Sequence, residues 1–93
     1  MNKYELLYII DNDVTEEGKQ AVIDRIEAVV IGAGGEIVSL DKWGTRKFAY
    51  PINFKNEGYY VLTTFNAPAS VPAEITRLGR IVDEIVRLMI VRK

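Results

Sequence analysis

Lys3-Tyr4-Glu5-Leu6-Leu7-Tyr8-Ile9-Ile10 is the stretch on which the fold turns. It is rich in residues that favour extended backbone and apolar at both odd and even positions, which predicts a strand buried on much of both faces. Asp11-Asn12-Asp13 follows as a turn cluster, and Asp13 or Thr15 can cap a helix. Glu16 and Glu17 stand in that helix's first turn, where its dipole favours anions. Val22, Ile23, Ile26, Val29 and Val30 then recur at three- and four-residue spacing, one apolar stripe for packing on the sheet. Gly32, Gly34 and Gly35 end the helix.

A second strand is expected from Glu36 through Ile37, Val38 and Leu40 toward Trp43. A long basic hairpin follows from Lys42 to about Gly58, with Gly44, Pro51 and a polar corner at Lys55-Asn56-Glu57-Gly58. Tyr59 to Phe65 reads as the third strand, broken by Asn66-Ala67-Pro68. Ser70 or a neighbour starts a second helix with Pro72 in its first turn, where a missing N–H costs little. Ile75 and Leu78 face inward and Gly79 marks the expected end of that helix. Ile85 to Val91 is a fourth strand, ending in Arg92 and Lys93. The order β-α-β-β-α-β is a split βαβ arrangement, an α+β ferredoxin-like fold. Right-handed crossovers put both helices on one face of a four-stranded antiparallel sheet with strand order 4-1-3-2. Residues 1–93 are expected to form a single domain.

That topology leaves one sheet face without helices. Strand alternation assigns Leu6, Tyr8, Ile10, Val61, Phe65, Leu88 and Ile90 to the core beneath the helices. The open face receives Leu7, Ile9, Tyr60, Leu62, Met89 and Val91. A half-solvated antiparallel sheet normally reads polar on its wet side. Six large apolar residues there predict a surface for a protein partner or for self-association.

Composition narrows the chemistry. The 93 residues include no cysteine and no histidine, so no thiolate site, disulfide or imidazole base is available. Ser39 and Ser70 have nothing to activate them, and Glu16-Glu17 and Asp83-Glu84 are sequence neighbours that point apart. Gly32-Ala33-Gly34-Gly35 follows a helix and precedes a strand, the reverse of a dinucleotide fingerprint. The expectation is therefore no catalysis, no metal, no cofactor and no small-molecule substrate. Neither a signal peptide nor a membrane span is read, so a cytoplasmic location is expected. Net charge is −1, yet residues 1–41 carry −6 and residues 42–93 carry +5. On charge alone this is a solvated surface, although local potential is what meets a phosphate.

Lys42-Trp43-Gly44-Thr45-Arg46-Lys47-Phe48-Ala49-Tyr50-Pro51 interleaves three cations with three aromatics. Cations suit phosphates, and aromatic or guanidinium planes suit unpaired bases. Phe48 fits hairpin packing better than base stacking. Trp43 is also of a type that more often packs in a core or hairpin than stacks on bases, and Arg46 and Lys47 could be charges that protect an edge from pairing.

This stretch, with Lys3-Tyr4-Glu5, Gly35-Glu36-Ile37-Val38, Glu57-Gly58-Tyr59-Tyr60 and Arg87-Leu88-Met89-Ile90-Val91-Arg92, resembles the bacterial ribosomal protein S-six family. The likeness runs through essentially the whole chain. It implies a structural component of the small ribosomal subunit that binds the central domain of its RNA together with ribosomal protein S-eighteen, in assembly and translation. It also implies a partner docked beside the open sheet face. Carried over by position, Lys3, Tyr4, Lys42, Arg46, Lys47, Tyr50 and Arg92 are the RNA-side candidates, and Trp43 joins them. Leu7, Ile9, Tyr60, Leu62, Met89 and Val91 are the partner-side candidates. Asn2 stands where relatives often carry a basic residue. The rival reading is a self-associating ferredoxin-like module that binds a small regulatory molecule, since this fold hosts many functions.

Overall fold

The computed structural model describes residues 1–52 and 55–93, with side chains outside 48–56. In chain order the elements are β1 (Asn2–Asp11), α1 (Glu16–Gly32), β2 (Glu36–Ile52), β3 (Lys55–Ala67), α2 (Val71–Ile81) and β4 (Ile85–Arg92). The sheet order is β2-β3-β1-β4, and every adjacent pair is antiparallel. The expected topology therefore holds, with β1 and β3 in the centre. Two boundaries differ from expectation. The second and third strands run on through the basic hairpin, so Lys55–Gly58 lies within β3 rather than at a corner. The second helix also continues two residues past Gly79. A Cβ on Gly79 would sit 3.2 Å from Leu88 Cδ1, so this glycine permits close packing of α2 on β4 instead of ending the helix.

α1 begins where its sequence says it should. Thr15 is in extended backbone conformation, and its Oγ1 accepts a hydrogen bond from the Gly18 amide at 3.1 Å. The stripe is buried as spaced, with Val22, Ile23, Ile26 and Val30 in the core and Val29 packed at its margin. Gly34, at φ +87°, takes the left-handed turn after the helix. Gly35 has no room for a side chain, because a Cβ would run into the Asn66 carbonyl oxygen and lie 2.9 Å from that of Val30.

Tyr4, Leu6, Tyr8 and Ile10 of β1 and Val61, Phe65 and Ala67 of β3 meet Ile75 and Leu78 of α2 and the α1 stripe in one cluster. Leu88 and Ile90, expected in the core, are only partly buried because β4 is an edge strand, though both pack against the cluster. Both helices thus cover the same sheet face, and its opposite face is left to the odd-numbered residues of β1.

Candidate functional site

Strand register builds the open face in rows. Asp41, Leu62, Leu7 and Met89 lie side by side across four strands, and Gly44, Tyr60, Ile9 and Arg87 form the next row. Glu5 pairs with Thr64 on one side and Val91 on the other. Of the six expected partner-side residues, Met89 and Val91 are 50% and 54% exposed, while Leu7, Tyr60 and Leu62 are half-buried. Ile9 departs from the set. It shares this face but is only 6% exposed, flanked in register by Tyr60 and Arg87. Its side chain is already removed from solvent in the isolated chain.

The expected RNA-side residues do not form one patch. Lys3 and Arg92 sit where β1 begins and β4 ends, whereas Arg46 lies level with Asp11 at the far end of β1 and Lys47 just past it, opposite Gly58 and Glu57. Along β1 the separation between these ends is about 26 Å, at the usual rise per residue of a strand. Tyr4 is corrected outright. It is 6% exposed, and its ring lies 5.6 Å from that of Phe65 in the core, because its even number turns it toward the helices. It cannot serve as a stacking platform there. Its hydroxyl does belong to a polar relay, accepting from Asn2 Nδ2 at 3.2 Å while Asn2 Oδ1 accepts from Arg92 Nη2 at 2.9 Å. Asn2, in place of a cation, thus orients one.

Lys42 is also turned to the helix layer, where its Nζ donates to Gln20 Oε1 of α1 at 2.8 Å. Thr45 on the same side donates to Asn12 Oδ1. Tyr50 and Phe48 lie outside the described side chains.

Trp43 and Arg46, by contrast, come together on the open face. The Trp43 ring is stacked on Tyr60, with planes 9° apart and centroids 6.4 Å apart. The Arg46 guanidinium lies over Trp43 at 5.3 Å, an attraction of the ring's negative face for the cation. Trp43 Nε1 donates to Asp41 Oδ2 at 3.1 Å, which fixes the indole edge. Arg87 is a further cation on this face, outside the expected RNA-side set. Alternation along β4 was enough to place it on this face, one strand from Ile9.

Among the described residues, no cluster of Asp and Glu could hold a metal ion, and no helix is long and apolar enough to cross a membrane. A groove of about 180 Å³ lined by Gly18, Ala21, Val22, Arg25, Val82 and Glu84 lies on the helix side, away from the open face. What the arrangement offers is an apolar sheet face bordered by cations at both ends, which suits binding rather than bond-making.

Comparison with known proteins agrees. The family model described as "Ribosomal protein S6" matches residues 3–92. The small ribosomal subunit protein bS6 of Alkaliphilus oremlandii is 48% identical over 92 residues, covering 99% of this chain and 97% of that protein. Its counterpart from Caldanaerobacter subterraneus subsp. tengcongensis is 44% identical with the same coverage. In three dimensions the chain is similar to the crystal structure of 30S ribosomal protein S6 from Thermotoga maritima, with a TM-score of 0.92, 30% identity, and coverage of 99% and 87% of the two chains.

Proposed function

The chain belongs to the ribosomal protein S6 family, structural components of the small ribosomal subunit and not enzymes, and from that premise we propose that it binds the central domain of small-subunit ribosomal RNA together with ribosomal protein S-eighteen. In this reading residues 1–93 act as one domain whose role is subunit assembly and translation. The observation that carries the proposal is the open sheet face. Leu7, Leu62, Met89 and Val91 present apolar surface there, and apolar surface of this kind on a small protein favours a protein partner. Lys3 and Arg46 stand at the two ends of that face, with Arg92 and Lys47 next to them on the helix side of the strand ends, where they can reach phosphates on either side of a docked partner.

The division of labour follows from this layout. The two cationic ends are too far apart to grip one phosphate group and too few for strong binding alone, so RNA affinity is expected to depend on the partner. The test is a titration of the protein into a central-domain RNA fragment, with and without ribosomal protein S-eighteen, at two salt concentrations. Binding that requires the partner and weakens with salt, with a logarithmic slope of roughly −2 to −4 for a few neutralised phosphates, is the expected result. No binding in either case, with a homodimer in sedimentation, would overturn it and favour a self-associating module.

A further inference from the structure

We infer that the bulge at Trp43-Gly44 is a positioning device, which brings Arg46 onto the open sheet face over the Trp43 ring so that its guanidinium meets an RNA phosphate at the rim of the partner surface. This rests on the proposed RNA binding and assigns the residues that orient one of its contacts. The argument starts from alternation. Asp41 pairs with Leu62 on the open face and Lys42 with Val61 on the helix face, so an unbroken strand would put Trp43 and Thr45 on the open face and Arg46 on the helix face. Instead the register shifts between Lys42 and Gly44, and Trp43 and Gly44 together oppose Tyr60. After this extra residue Thr45 pairs with Tyr59 on the helix face and Arg46 with Gly58 on the open face. Two residues three apart thereby share one side of a strand.

Side chains lock the result in place. Gly44 has φ +82°, in the left-handed region, and a Cβ there would meet no other atom within 4 Å. The glycine is therefore required by backbone conformation and not by space. Trp43 is held at its edge by Asp41 and stacked on Tyr60, and Arg46 lies over that ring. A long, exposed arginine otherwise samples many rotamers, and holding it over an aromatic plane lowers the entropy lost when it binds. Trp43 is thus a positioning residue, while Arg46 makes the contact. A phosphate is the matching ligand, since the guanidinium presents a planar fork of donors suited to one.

The experiment uses the intact protein with central-domain RNA and the partner. Arg46→Ala is expected to reduce the magnitude of the salt slope by about 1, and to leave partner affinity in the absence of RNA unchanged. Trp43→Ala is expected to weaken RNA binding about two- to fivefold at an unchanged slope, the scale of an exposed cation–π contact. Trp43→Phe, which keeps an aromatic face, is expected to restore most of it. An Arg46→Ala protein with the wild-type slope, or one that loses partner affinity without RNA, would overturn the phosphate assignment. Absence of RNA binding by the wild-type protein would overturn both that assignment and the function on which it rests. The positioning role has its own readout in the free protein. The Arg46 side-chain N–H resonances should carry an aromatic ring-current shift that is lost in Trp43→Ala, and their insensitivity to that change would overturn the positioning role.

Discussion

The two faces of the sheet are built from similar side chains and do different work. Under the helices, Leu6, Tyr8, Ile10, Val61 and Phe65 are fully enclosed. On the other side, Leu7, Leu62, Met89 and Val91 are equally apolar but half-buried or exposed. Apolar area removed from water within the chain stabilises the fold, whereas area left in water stabilises only a complex that later covers it. The same residue types should therefore give opposite phenotypes on the two faces. The most severe case is Phe65→Ala, which removes a fully buried ring at the centre of the core and is expected to cost about 3–5 kcal/mol. A domain of this size has only about 5–15 kcal/mol in total, so urea denaturation should show a large fall in midpoint. A change under about 1 kcal/mol would mean that the covered face is not the core described above.

Met89→Asp asks the converse question. Met89 is 50% exposed on an edge strand, so stability should change by no more than about 0.5 kcal/mol. Affinity for the partner protein should fall by about tenfold or more, because a carboxylate would be desolvated at an apolar contact. Isothermal titration beside a thermal melt separates the two effects. A destabilised protein with normal partner affinity would reverse the roles assigned to the two faces.

Much of this contrast is legible in the sequence, and most of what is not lies on one strand. Period-two alternation in β1 separated Leu6, Tyr8 and Ile10 from Leu7 because β1 and β3 pair without interruption over ten residues. The same alternation turns Tyr4 toward the helices, against the RNA-side position that the family resemblance implies. The outer strand resisted such reading. β2 shifts register between Ile37 and Ser39 and again between Lys42 and Gly44, and each shift reverses the parity of everything beyond it. Lys42, Trp43, Arg46 and Lys47 fall within one six-residue stretch, and the shift before Gly44 decides their division, placing Arg46 rather than Lys47 on the open face with Trp43. Gly44 is the residue on which the division depends. Gly44→Ala is expected to cost about 1 kcal/mol through its φ of +82° alone, and Gly44→Asn less, because asparagine tolerates that conformation. If chemical denaturation ranks the two variants equally, backbone strain is not what the glycine relieves.

The smallest expected effect at neutral pH lies at a polar blemish within the covered face. The Tyr8 hydroxyl and Thr63 Oγ1 are buried with no hydrogen-bond partner among the described residues. Burial pushes the Tyr8 phenol well above its ordinary value of 10.0, opposed by the neighbouring Thr63 hydroxyl and reinforced by the Glu27 carboxylate. Replacing tyrosine by phenylalanine removes a polar atom that gains little from folding, so Tyr8→Phe should alter stability at pH 7 by only a few tenths of a kcal/mol. Alkaline pH should separate the two proteins. A phenol whose pKa is raised by folding contributes stability fully below the unfolded value, and loses it as pH climbs from about 10 toward the folded value. Over that window the wild type should lose up to about 1.4 kcal/mol per pH unit more than Tyr8→Phe. Urea melts at pH 7, 10 and 11 would measure the difference, and parallel curves would show that the Tyr8 ring, though covered by the helices, remains in effective contact with water.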